Sequence, residues 1–174
     1  MRTLVLIASL GSVACGPIVF TATLSGQGTV AGSPLGALLS TFPSIGALTN
    51  VDFAQNQDFK NNQVTRDMVR AVKVTALSAR IVTPASADFG FVESLEFSAR
   101  AAANQAVFAR KGDVATAASR PPNATVAFDL LDVDLAPFVR EPTMTLALSG
   151  RARQPPSDTT LEVQVSLRVE AGLR

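Results

Sequence analysis

Residues 160–173 read TLEVQVSLRVEAGL, and within them Leu161, Val163, Val165, Leu167 and Val169 alternate with Glu162, Gln164, Ser166, Arg168 and Glu170. A period of two puts every apolar side chain on one face of an extended chain and every polar one on the other. Wound as a helix of 3.6 residues per turn, the same residues would scatter round the axis. The stretch is therefore a half-buried β-strand, and it needs a second layer to cover its apolar face. That requirement makes the rest of the chain a search for partner strands.

Several stretches qualify. IVFTATLSG from residue 18 sets Ile18, Phe20, Ala22 and Leu24 against Val19, Thr21, Thr23 and Ser25. Residues 72–82 place Leu77, Ala79 and Ile81 on one face, and residues 94–101 place Leu95, Phe97 and Ala99 inward with Glu96, Ser98 and Arg100 outward. TVAFDLL offers Val126, Phe128 and Leu130 as one inward row, and TMTLALSG offers Met144, Leu146 and Leu148; AVFAR, residues 106–110, is a weaker candidate. Glycine, proline and Asx residues separate the runs at 111–113, 120–123 and 154–158. No strand–helix–strand series calls for a parallel sheet. The expected fold class is all-β: an antiparallel two-sheet β-sandwich, Ig-like or jelly-roll-like, with short helical turns.

Three helical pieces are expected among the strands. Ser33 and Pro34 form a cap and first-turn proline ahead of Leu35, Leu38, Leu39 and Phe42 on one face, closed by Pro43. Thr65 caps a turn through Met68 to Ala71, and Asp134 caps LAPFVR. Residues 26–62, rich in glycine and then polar (AQNQDFKNNQ), are expected as a long excursion over one end or edge of the sandwich.

The chain of 174 residues is long enough for one domain with its own core. Lys+Arg of 15 against Asp+Glu of 14 gives no basic surplus with which to hold nucleic acid. There is no His, Trp or Tyr. Missing His removes the commonest acid–base residue and metal ligand. Missing Trp and Tyr removes the aromatic girdles of an outer-membrane barrel and the usual sugar-stacking platforms of a glycosidase. Ser or Thr with Lys60, Lys73 or Lys111 could in principle form a dyad, but no local signal marks a desolvated lysine. The expectation is a protein without a catalytic site or cofactor.

The first residues carry a different kind of information. Arg2 precedes an apolar run to Leu10, and small residues follow: the three-part layout of a secretory signal. As a helix, residues 3–14 would span about 18 Å, too short to cross roughly 30 Å of hydrocarbon. Ser12, Val13, Ala14 and Cys15 resemble the lipobox of bacterial lipoproteins, with Ser12 where that family prefers leucine. Ser12 and Ala14 also fit an ordinary small-x-small cleavage site. The resemblance covers these positions and the run before them, not the body. It implies a signal over residues 1–14 and a mature chain, 15–174, acylated at Cys15. It also implies a place in the cell envelope, Gly16 looking like the outer-membrane version of the sorting rule. Two or three acyl chains anchor stably where one would not.

Within the body, three candidate sites stand out. Arg80, Arg100 and Arg151 recur in similar settings (LSAR, FSAR, LSGR) and are expected on one face, where guanidinium forks would meet an anionic partner. Phe89, Phe91, Phe97, Phe108 and Phe128 would line any apolar-ligand cavity between the sheets. Asp129, Asp132 and Asp134 are closely spaced, yet lack the glycine and further carboxylates of a calcium loop, so no metal is expected. The Leu35, Leu38, Leu39 and Phe42 stripe is core, or else a patch facing a partner or membrane. These readings describe a membrane-tethered accessory module that binds another envelope protein. A carrier or sensor of a small apolar ligand is the alternative.

Overall fold

The computed structural model describes residues 16–39 and 42–172; Cys15 and the signal expectation lie outside them. Two antiparallel four-stranded sheets form a β-sandwich. In chain order the strands are β1 (Ile18–Val30), β2 (Val69–Thr83), β3 (Val92–Ala101), β4 (Asn104–Lys111), β5 (Thr125–Ala127), β6 (Asp129–Leu130), β7 (Thr145–Ala152) and β8 (Thr159–Ala171). One sheet runs β1-β8-β2-β5 and the other β6-β4-β3-β7.

The strand that most constrained the sequence sits where its pattern demands. β8 lies between β1 and β2, with Leu161, Val163, Val165, Leu167 and Val169 all fully buried. Both long neighbours keep the expected alternation, although β2 carries three bulges along β8. Pairing is nested: β1 with β8, β2 with β5, β3 with β4, all antiparallel. The outer edge of β7 is met by the segment after β1 through two isolated bridges, Leu38↔Arg153 and Val51↔Met144. With that segment counted as the second strand and β5 and β6 together as the sixth, the nesting of eight strands is 1–8, 2–7, 3–6 and 4–5. This is the jelly-roll arrangement, one of the two expected.

Several local expectations fail. TVAFDLL is not one strand. Residues 125–127 pair with β2 in the first sheet and residues 129–130 pair with β4 in the second. Phe128 makes the crossing and Leu130 ends up 37% exposed rather than inward. Ser98, expected outward, is buried beside the bulge between Phe97 and Ser98. No helix forms at 33–39. The turn after Thr65 is a single 3-10 turn, Arg66–Met68, because Val69 already pairs with β8. The 26–62 excursion begins later than expected, since β1 continues through Gly26 to Val30. Its polar run holds a short helix, α1 (Gln57–Asn61), capped by Asn56 Oδ1, which accepts from the N–H groups of Asp58 and Phe59. Phe59 then packs on Phe20 and Phe53, with ring centroids 5.2 and 5.1 Å away. Two further short helices are α2 (Val114–Ala117) and α3 (Ala136–Val139). The N–H of Ala136 in α3 donates to Asp134 Oδ1, as the sequence suggested.

Candidate functional site

The segment after β1 shows how the exposed leucines come about. Gly32 N–H donates to Asp158 Oδ1 and Ser33 N–H to the Pro155 carbonyl. Gly36, at φ +58°, closes a turn on Ser33. Leu39 N–H then reaches the Ala152 carbonyl, and the Ala37 carbonyl accepts from Gln154. A helix would need these main-chain groups for itself; here the 152–158 region takes them. The leucine stripe is consequently split. Leu39 and Phe42 pack partly on the core, while Leu35 and Leu38 are 92% and 78% exposed.

Leu38 and Leu39 form one wall of a groove of about 840 Å³, whose other walls include Phe91, Ala115, Thr116 and Arg153. A second groove of about 460 Å³, between residues 84–91 and 153–159, shares Phe91 and Arg153 with the first. The two occupy the end of the sandwich where β1 stops and β8 starts. The first groove is shallow and partly apolar, with Glu93, Asp113, Arg151 and Arg153 among its lining residues. Among the described residues no three His, Cys, Asp or Glu side chains converge as a metal site.

The arginine expectation is overturned. Arg80 projects from β2, on the outer side of the first sheet, and pairs with Glu162 at 2.5 Å. Arg100 and Arg151 project from β3 and β7, on the outer side of the other sheet. Arg151 pairs with Glu93 at 3.6 Å, whereas Arg100 borders a pocket between β7 and residues 42–49. In-out alternation fixed their outward direction but could not say which sheet each strand joins. The Arg80 hydrogen bond holds the Glu162 carboxyl below its ordinary range.

The phenylalanine set is also redistributed. Phe89, Phe97 and Phe108 are fully buried and Phe128 nearly so. Phe97 sits edge-on to Phe128 at 5.2 Å and tilted against Phe108 at 6.1 Å, so these rings fill the middle of the sandwich. Phe91 alone of the set lines the grooves, stacked on Phe89 at 6.5 Å. The aspartates each have their own protein partner. Asp129 takes Lys111 at 3.1 Å and Asp132 takes Lys73, while Asp134 Oδ1 accepts from Val72 N–H at 2.8 Å. The hydrogen bond to Lys73 lowers the Asp132 pKa, and the same bond raises that of Lys73.

No family model matches the chain, and no curated protein matches it. A solved structure of Desmodium yellow mottle tymovirus is similar to it at 14% identity and a TM-score of 0.33, over 100% of this chain and 93% of that one.

Proposed function

We propose that this chain is a membrane-tethered, non-enzymatic binding module of the bacterial cell envelope. In this reading residues 1–14 are removed, Cys15 is acylated in the outer membrane, and the sandwich offers a docking surface to another envelope protein. The observation that carries it is the position of Cys15. The chain's sole cysteine follows Ser12, Val13 and Ala14 and stands three residues before β1 begins. Cleavage at that point would leave the whole sandwich intact and place the anchor directly on its first strand. The exposed Leu35 and Leu38 beside an apolar groove support docking, and the lack of histidine weighs against catalysis. The packed Phe97, Phe108 and Phe128 rings weigh against a ligand held between the sheets.

The test is the mass of the N-terminal peptide from protein isolated in its native membrane fraction. An acylated peptide starting at Cys15 is expected, and Cys15→Ser should release the protein from the membrane. A peptide starting at bare Cys15 or at Met1 refutes the tether.

A further inference from the structure

The jelly roll lacks most of one strand, and the place it leaves is open. The bridge Leu38↔Arg153 begins a ladder in which Leu39 N–H donates to the Ala152 carbonyl and Gln154 N–H to that of Ala37. Four residues further along each chain, Pro43 would face Leu148. A proline has no N–H to give, so the ladder cannot be carried through that position. Pairing resumes at Val51, whose N–H and carbonyl both bond Met144.

Between these two ties β7 keeps a regular edge. Its pairing with β3 runs without a shift from Thr145 to Arg151, and residues 145–150 hold no charge and no proline. Strand edges commonly carry such features as a guard against further pairing. Because backbone groups alternate along a strand, Leu146 and Leu148 turn N–H and C=O outward, as Met144 does. No backbone partner meets them among the described residues. Beside them runs a groove of about 360 Å³, walled on the far side by Phe42, Pro43 and Ile45.

Arg100 is the only charged residue lining this groove. It is exposed and in no ion pair among the described residues. The acids on β3, β7 and residues 31–56 are Glu93, Glu96 and Asp52. Glu93 takes Arg151, Glu96 takes Arg110, and Asp52 Oδ1 accepts from the Ala54 N–H. None of the three lines the groove.

We propose that the β7 edge takes an extended acidic segment of the partner protein as an added strand, paired with Leu146 and Leu148 and with its carboxylates toward Arg100. The inference deepens the docking part of the reading above and rests on it. Acylation of Cys15 plays no part, so failure of the tether leaves it standing. In such an addition the main chain supplies affinity and alternate side chains supply specificity. Residues paired with Leu146 and Leu148 share their inward face and should be apolar. Their neighbours share the outer face of Thr145 and Ala147, which pair with Arg100 and Ser98. Two strand spacings, roughly 10–12 Å with the diagonal offset, separate those neighbours from Arg100. An arginine and a glutamate side chain together span that distance.

The probes are capped eight-residue peptides alternating valine with glutamate, glutamine or lysine, titrated into the full chain in detergent micelles. Binding is read from the amide resonances of Leu146 and Leu148. The glutamate peptide should bind about tenfold or more tighter than the lysine peptide, and Arg100→Gln should shrink that ratio below about twofold. N-methylating the valines removes the donors that face β7 and should abolish binding, whereas N-methylating the glutamates should not. Equal binding of acidic and basic peptides overturns the role of Arg100. Binding that survives valine methylation, or that moves the resonances of Leu35 and Leu38 instead, overturns the added strand. So does the absence of any binding at about 1 mM peptide, well above the concentrations at which specific strand addition operates. A dimer whose Leu146 and Leu148 amides are protected before any peptide is added also overturns it, because the edge is then filled by a second copy. The N-terminal mass of the same samples reports separately on the tether.

Discussion

Truncating Phe97 to alanine measures whether the middle of the sandwich is solid. The ring is fully buried, edge-on to Phe128 and tilted against Phe108. Losing its transfer free energy costs about 1.5–3 kcal/mol. Phe108, fixed in the adjoining strand β4, and Phe128, held at the crossing between the sheets, cannot fully close the gap, and each unfilled ~40 Å³ adds about 1 kcal/mol at ~24 cal/mol per Å³. The sum is about 3–5 kcal/mol, within the range for Phe→Ala in packed cores. For a domain of this length that lowers Tm by roughly 6–20 °C at ~2–4 °C per kcal/mol. Urea unfolding followed by circular dichroism should show the midpoint falling with an unchanged slope. Phe97→Leu, which keeps most of the volume, should lose less than half as much. A loss below about 1 kcal/mol with the slope unchanged would refute the reasoning. The ring would then face empty space, and a ligand between the sheets would become the better account.

Three further outcomes follow from individual contacts. Gly32→Ala drives a Cβ to within 2.2 Å of the Ser157 carbonyl carbon and 2.6 Å of Asp158 N. It should cost about 3 kcal/mol, the upper end for overpacking, while Gly112→Ala, with open space around it, should stay within ~0.5 kcal/mol in the same melts. Asp134→Ala strands the N–H groups of Val72 and Ala136 and should cost about 1–3 kcal/mol, with Asp134→Asn milder because an acceptor oxygen remains. Glu162→Gln tests the pair with Arg80. Its carboxyl is held below the ordinary 4.5, so the stabilisation is present above that pH and lost as pH falls through the lower folded value. Wild type should exceed the variant by under ~1 kcal/mol at pH 7, and the gap should narrow as pH falls below 4.5; a gap that widens in acid contradicts the assignment.

How far the sequence reveals this fold depends on whether a feature is local. The faces of β8, β1 and β2 are legible because alternation is a property of consecutive residues. The crossing at Phe128 is not, since the alternation of 125–130 continues unbroken while the hydrogen-bonding partner changes from β2 to β4. The leucines at 35, 38, 39 and 42 have helical spacing, and only the distant ties to Ala152, Pro155 and Asp158 forbid the helix. Arg80 and Arg100 sit in near-identical local sequence on different sheets for the same reason. The helix α1 did leave a signal: Asn56 is a preferred cap, Asp58 follows in the first turn, and Phe53 and Phe59 bracket the polar run.

The incomplete second strand of the jelly roll explains what the 26–62 region does instead. Between its two bridges β7 advances nine residues while the facing segment advances thirteen. The surplus leaves the sheet and turns across the side of the sandwich. There a 3-10 turn, Gly46–Leu48, buries Leu48, and Ile45 just before it is buried too. β1 is glycine at the two positions beneath. A Cβ on Gly26 would lie 2.9 Å from Ile45 Cγ2, and one on Gly28 would lie 2.9 Å from the Ser44 carbonyl oxygen. These close approaches let the segment seal the gap between β1 and β7, the edge strands of the two sheets. Pairing is given up in exchange. Met144 N–H bonds Val51 and the Ala152 carbonyl accepts from Leu39, so alternation aims the main chain of Leu146 and Leu148 at the same outer edge, where no strand among the described residues meets them. The jelly-roll order thus survives with one member reduced to two bridges, while Ile45 and Leu48 close the core beside it.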